Sequence, residues 1–175
     1  MQIDKLKINN IADKIRKALD ITTLPYEPSD AIKKLGGTIT YNVNDYNVDA
    51  ILKKTGENSF NINLNPNRHI NRDRFTLAHE LGHLFLHMGF IVDKEKWDSI
   101  STDDIIFFRD NNYSIKEYEA NEFAASFLMP KDEFIEIAEE NLTGNNYNLN
   151  SISEYFRVSV QATENRGKWL GIFKW

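Results

Sequence analysis

Two histidines and a glutamate have a spacing that suits metal chemistry. The chain contains His79-Glu80-Leu-Gly-His83, the pattern H-E-x-x-H, within a stretch of helical periodicity. At 3.6 residues per turn, positions four apart lie about 40° apart around a helix and roughly 6 Å apart along it, so both imidazoles can bind one ion. Two histidine ligands leave room for a third protein ligand and a water, as in hydrolytic zinc sites. Glu80 is then placed to accept the proton of that water.

The surrounding helix supports this interpretation, because its polar and apolar residues occupy opposite sides. His87 falls on the histidine side, and burying three histidines as ordinary core residues would require a partner for every ring nitrogen. We interpret His87 mainly as a residue that supports the ligands or packs beside them. Gly82, between the two proposed ligands, lets another segment approach closely. The opposite side carries an apolar stripe of Leu77, Leu81, Leu84, Phe85 and Met88.

A third ligand is expected from a second helix, which offers the glutamates Glu117 and Glu119. In helical phase, Glu117 shares a side with small residues such as Ala120 and Ala124, whereas Glu119 shares its side with polar residues. We therefore predict that Glu117 faces the interior, where a carboxylate needs a cation, and that Glu119 faces water. Asn121, one turn after Glu117, can bond to a ligand histidine.

Glu117 also has a structural interpretation. Ser114-x-x-Glu117 has the spacing of a capping box, in which the glutamate bonds to the backbone amide of the serine at the start of a helix. In that case its carboxylate stabilises a helix end and holds no metal.

Composition narrows the class of protein. With 175 residues, 41% of them hydrophobic, the chain can bury one core, and we expect a single domain over residues 1–175. Without cysteine, a metal site must use His, Asp and Glu, and a reducing, cytoplasmic setting is expected. The net charge of −5 argues against direct nucleic-acid binding. The charged start and the lack of a long apolar run predict neither a signal peptide nor a membrane span.

Hydrophobic periodicity predicts an α+β fold that is mostly helical, with a small three-stranded sheet packed against the histidine helix. Strands are expected at 38–43, 49–53 and 59–65, and a hairpin turn between the last two makes the sheet at least partly antiparallel. The asparagine-lined side of strand 59–65 indicates either an ordinary edge strand or one to which a substrate peptide adds. Helices are expected at 3–19, about 29–36, 71–88, 114–128, 131–141, 149–156 and 160–169, with 89–113 a loop containing a short helix.

The last two helices, within about 149–173, have the rhythm of a helix-turn-helix. Their basic residues, Arg157, Arg166 and Lys168, are few and are offset by two glutamates. DNA binding depends on a clustered basic surface, so we interpret the pair as a packing or substrate-docking element of the same domain.

Two blocks within residues 74–130 resemble the ImmA/IrrE family of metallopeptidases. They are Arg-Phe-Thr-Leu-Ala-His-Glu-Leu-Gly-His and Glu-x-x-Ala-Asn-x-Phe-Ala-Ala-x-x-Leu-Met-Pro. The resemblance implies a zincin-like fold, zinc bound by His79, His83 and Glu117, and Glu80 as the catalytic glutamate. It also implies a protein substrate, because family members often lie beside phage-type repressors with helix-turn-helix domains and cleave them.

Two functions of different classes follow. The first is a zinc-dependent endopeptidase that hydrolyses a peptide bond in a helix-turn-helix repressor of a phage or mobile element. The second is a non-proteolytic module, stabilised by its metal, that sequesters a repressor or antitoxin-like partner. A purely structural zinc has no use for Glu80, which favours the peptidase.

Overall fold

The structure, a computed structural model, describes residues 3–45, 48–66, 70–102 and 115–174. The predicted α+β class is confirmed: the chain is mostly helical with one small three-stranded sheet, consistent with a zincin-like domain. Within these residues no helix has the length and apolar character needed to cross a membrane. The elements are α1 (Lys5–Ala18), α2 (Pro28–Lys34), β1 (Thr38–Thr40), β2 (Ala50–Gly56), β3 (Ser59–Leu64), α3 (Ile70–Gly82), a π-helical turn (His83–His87), α4 (Lys94–Asp98), α5 (Ile115–Leu128), α6 (Lys131–Glu140), β4 (Leu142–Thr143), β5 (Asn146–Tyr147), α7 (Leu149–Phe156) and α8 (Val160–Trp169).

The three-stranded sheet is mixed, in the order β1-β3-β2. β2 and β3 form the predicted antiparallel hairpin, and β1 pairs with β3 in parallel. The prediction that β3 is an edge strand is therefore wrong, and so is its use for strand addition, because both of its sides are already paired. Its asparagines serve the sheet itself: Asn61 Nδ2 donates to Thr38 Oγ1 at 2.9 Å, and Asn63 Oδ1 accepts from the Asn42 amide at 2.9 Å.

α3 lies between the sheet and α5 and continues directly into the π-helical turn, where the Met88 amide donates to the His83 carbonyl at 2.9 Å. The close approach predicted at Gly82 is confirmed. A Cβ there would lie 2.9 Å from the Cα of Ala120, so only a glycine allows α3 and α5 to cross at this distance. The predicted apolar stripe is fully part of the core: Leu77, Leu81, Leu84, Phe85 and Met88 are all buried.

α5 is covered on two sides, by α3 and by α1. The prediction that Glu119 faces water is therefore wrong: it is 3% exposed, and Glu122 on the same side is 9% exposed. Helical phase states which residues share a side, but not whether a second helix covers that side. Here α1 and the residues before it supply polar partners, since the Ile3 amide donates to Glu119 and Asn9 Nδ2 donates to Glu122 at 3.0 Å.

The C-terminal helices α7 and α8 pack onto the core through Ile152, Phe156 and Val158. Side-chain caps define their starts: Asn148 accepts from Ser151 N, and Ser159 accepts from Ala162 N. Of the three basic residues of the pair, Arg166 points inward, is 2% exposed and donates to the Met129 carbonyl at 3.0 Å. It is therefore not available to a phosphate group in solution.

One detail goes beyond the sequence expectations, and one expectation is met. A short hairpin of β4 and β5 joins α6 to α7, turning at Gly144, which has a φ of +61°. The short helix expected within 89–113 is α4, whose Asp93 cap accepts from the Lys96 amide at 3.1 Å. The remainder of that segment, residues 103–113, lies outside the described residues.

Candidate metal centre

α3 and α5 bring the three predicted ligands together. One ligand atom from each of His79, His83 and Glu117 lies within 4.8 Å of the other two. The two histidine Nε2 atoms are 2.9 Å apart, and the carboxylate oxygens of Glu117 lie 3.3 Å from Nε2 of His79 and 3.1 Å from Nε2 of His83. Of the two glutamates that α5 offered as third ligand, Glu117 is the one in the cluster.

Arg74, five residues before His79, holds α3 in place. Its guanidinium, which is almost fully buried, donates to the Tyr26 carbonyl at 2.7 Å, to the Phe156 carbonyl at 3.1 Å and to Glu27 Oε2 at 3.2 Å. Burial lowers the pKa of Arg74, while the charge of Glu27 acts in the opposite direction. One side chain thus joins α3 to the segment before α2 and to the end of α7, and these contacts fix the position of α3 relative to both segments.

The hydrogen bond on His79 orients its ring toward the cluster. Its Nδ1 lies 2.9 Å from Oδ1 of Asn121, an amide oxygen that only accepts, so Nδ1 carries the hydrogen. Nε2, with its lone pair, therefore faces His83 and Glu117. The predicted bond from Asn121 to one of the two histidines is confirmed, and that histidine is His79.

His83 is oriented through His87. Nδ1 of His83 lies 2.8 Å from Nδ1 of His87, and Nε2 of His87 lies 3.0 Å from Oε2 of Glu119. A carboxylate accepts, so His87 carries its hydrogen on Nε2 and accepts on Nδ1, and His83 must donate from Nδ1. The Nε2 lone pair of His83 is left facing the cluster. Two lone pairs and a carboxylate thus converge, a donor set that fits a metal cation.

The charges in the cluster agree with this arrangement. Burial acts to raise the pKa of Glu117, but the hydrogen bonds with His79 and His83 outweigh it and hold that pKa well below its ordinary value. Burial lowers the pKa of His83 to about 4. Burial also acts to lower the pKa of His79, but Glu117 and the charge of Glu80 outweigh it and raise that pKa. An ionised carboxylate and a neutral imidazole are ready ligands, and the cluster as a whole attracts one positive charge.

One side of the cluster is open to solvent. The His83 side chain is 1% exposed, whereas that of His79 is 15% exposed and that of Glu117 31% exposed. Catalytic zinc sites use three protein ligands and keep a position for water or substrate, whereas structural sites are closed by four. Glu80 follows His79 on α3, is largely buried, and its charge acts to raise the pKa of His79.

Comparison with known proteins agrees with the geometry. No curated protein matches the chain. The family model of the IrrE N-terminal-like domain, a metallopeptidase family, matches residues 38–168, which is well over half of the chain. The chain belongs to this family. A metallopeptidase-type function and a metal cofactor follow from membership, and the match runs from β1 to α8, so it includes the C-terminal helix pair.

The family match and the geometry leave individual roles as predictions. His79, His83 and Glu117 are the group that could hold a metal, and Glu80 is adjacent to it. The capping-box alternative for Glu117 depends on Ser114, which lies outside the described residues, although the carboxylate itself is directed at the two histidines.

Sequence reasoning placed Glu119 in water and therefore missed its hydrogen bond with His87. The signal that could have revealed it is His87, because a buried histidine needs a partner for each ring nitrogen and a facing helix rich in glutamate is the nearest source.

Proposed function

We propose that this chain is a zinc-dependent endopeptidase in which His79, His83 and Glu117 bind the metal and Glu80 is the catalytic base. The observation that carries the proposal is the convergence of two imidazole lone pairs and one carboxylate on a single point, with one side open. Three protein ligands with an open position are the arrangement of hydrolytic zinc sites. The family match supports the peptidase chemistry.

The chemistry divides between the metal and the chain. A zinc ion held by this group supplies Lewis acidity, which polarises a peptide carbonyl and lowers the pKa of a water molecule. Glu80 accepts a proton from the attacking water and passes it to the amine that leaves when the C–N bond breaks. Asn121 and His87 keep the two imidazoles facing inward, so the site is already ordered before substrate arrives.

The proposed substrate is a helix-turn-helix repressor of a phage or mobile element, met in the cytoplasm. The support is the resemblance of the two sequence blocks to the ImmA/IrrE family, together with charge: an acidic protein with a net charge of −5 suits a basic, DNA-binding partner. In this proposal the chain contacts the repressor protein and not DNA, so it needs no basic surface of its own.

The decisive experiment compares Glu80→Gln with wild type on a helix-turn-helix protein encoded beside the gene. We expect cleavage to stop while zinc content and thermal stability stay at wild-type levels, because glutamine keeps the shape of the side chain but cannot accept the proton. Glu139→Gln is the matched control, since Glu139 lies on the exposed side of α6. Intact cleavage by Glu80→Gln would overturn the proposed mechanism. Tight binding without cleavage by the wild type would favour sequestration of the partner.

A further inference from the structure

We propose that Glu119 and His87 form a positioning relay that fixes the tautomer of His83 and thereby sets the metal affinity of the site. The inference rests on the proposed metal centre, and neither of its two residues is one of the three proposed ligands. Both lie in the interior: the side chains of His87 and Glu119 are each 4% exposed. The relay runs from the Glu119 carboxylate through the His87 ring to Nδ1 of His83, and so to the atom that faces the cluster.

The position of every hydrogen in the relay follows from the Glu119 carboxylate, which can only accept. Glu119 offers an acceptor to Nε2 of His87 at 3.0 Å, and its other oxygen accepts from the Ile3 amide. His87 is therefore an Nε2–H tautomer, and its Nδ1 can only accept from His83. His83 in turn must present a lone pair from Nε2. Glu119 thus sets the polarity of the His87 ring, and His87 sets that of His83.

The backbone is built to bring these rings together. His83 and His87 are the first and last residues of the π-helical turn, in which the Met88 amide bonds to the His83 carbonyl five residues earlier. Such a turn is wider than an α-helical one, so a residue four positions on lies close to one full turn away. The two ring centroids are 4.9 Å apart. π-Helical turns within helices are often found at functional sites, and this one places His87 directly behind His83.

A packing role for the same residues makes different predictions. If His87 and Glu119 only filled space, replacing both by apolar residues would leave the metal affinity unchanged or alter it only as far as the fold itself weakens. If they act as a relay, metal affinity falls even when the fold is stable, because His83 then populates the wrong tautomer part of the time. Groups that hydrogen-bond to a metal-binding histidine in this way contribute about 10- to 100-fold to metal affinity.

The test uses three variants of the full chain: Glu119→Gln, His87→Phe and the double variant His87→Phe/Glu119→Leu. The glutamine can present either its oxygen or its NH₂ group to His87, so it keeps the volume and removes the fixed polarity. The double variant removes both polar groups at once and guards against a single variant that fails to fold. Glu122→Gln is the matched control, because Glu122 lies on the same side of α5 and is also buried but contacts Asn9 and Arg166 instead of a histidine.

Three measurements separate the two roles: the zinc Kd by chelator competition, the thermal stability of the metal-free protein, and the tautomers of the histidine rings by long-range proton–nitrogen NMR. We expect a zinc Kd about 10- to 100-fold weaker in all three variants. The Kd of Glu122→Gln should stay at the wild-type value. The wild type should show the Nδ1–H form of His83 and the Nε2–H form of His87, and Glu119→Gln should show a mixture.

A wild-type Kd in the double variant, or an Nε2–H form of His83 in the wild type, would overturn the relay. Failure of the relay alone leaves a wild-type protein that still binds zinc and cleaves its substrate. A wild-type chain that binds no zinc would instead overturn the proposed function.

Discussion

The two sides of α5 both carry buried or half-buried glutamates, and they differ in what surrounds each carboxylate. On the side facing α3, called here the ligand side (Glu117 and Asn121), Glu117 meets the Nε2 atoms of two histidines. On the side facing α1, the packed side (Glu122 and Ser126), Glu122 accepts from Asn9 Nδ2 at 3.0 Å and Arg166 Nη1 at 3.4 Å. The packed side already contains its cation, Arg166, whereas we propose that the ligand side binds one from outside. The partners of each carboxylate, more than its burial, are the basis for these two different roles.

The largest effect is expected on the ligand side. Glu117→Gln removes one of three ligands from a site whose zinc-binding free energy is on the order of 10–16 kcal/mol, so about 4 kcal/mol, or roughly a thousand-fold in Kd, should be lost. Metal-free stability should fall as well, because the contacts with His79 and His83 that lower the pKa of Glu117 also favour the folded state. Zinc Kd and metal-free melting temperature, measured on one preparation, test both statements. A Kd within ten-fold of wild type would show that Glu117 is not a ligand.

The packed side should give a different result. Glu122→Ala leaves the Arg166 guanidinium buried without its carboxylate, and breaking such a buried pair from one side costs about 3 kcal/mol of unfolding free energy. Zinc affinity should be unchanged, since Glu122 contacts no histidine in the described part of the chain. Urea unfolding of the metal-free protein measures the first effect and chelator competition the second.

The double variant Glu122→Leu/Arg166→Met sharpens this result. Replacing both charges by apolar residues removes the unpaired group, so most of the lost stability should return. A double variant as unstable as Glu122→Ala would mean that shape, and not the orphaned charge, accounts for the loss. Burial lowers the pKa of Arg166 to about 10, which agrees with a cation held away from water.

The close approach of His79, His83 and Glu117 was predictable from sequence because these residues lie on α3, on the π-helical turn that continues it, and on α5. The period of a helix aligns His79 with His83 and Glu117 with Asn121, and Gly82 marks the place where the helices cross. The packed side was not predictable in the same way. The burial of Glu119 and Glu122 depends on α1, which lies more than a hundred residues away in sequence and supplies Asn9. Local periodicity carries no information about such a contact.

The sheet shows the same limit. Alternation placed β3 well, whereas β2 extends three residues past the predicted strand 49–53, to Gly56, and the predicted hairpin joins the two. Whether β3 lies at an edge depends on a parallel pairing with β1, which comes from the other side of β2 in sequence. That pairing depends on how the chain arranges its strands in the sheet, and no pattern within residues 59–65 specifies it. The C-terminal helix pair, in contrast, was predicted at its exact bounds, because its caps and apolar period are local.

The smallest expected effect returns to the ligand side, at Asn121. Asn121→Ala removes the acceptor for Nδ1 of His79 but leaves all three ligands in place, so zinc Kd should weaken by about 10-fold, the lower end for such groups. Asn9→Ala is the matched control: it also removes a side-chain amide that contacts α5, but this amide lies on α1 and bonds to Glu122 and Arg166 at the packed side. We expect that variant to lose stability and keep its zinc affinity. Equal losses of zinc affinity in the two variants would mean that the two sides of α5 are not independent, and that packing against α1 helps to position Glu117.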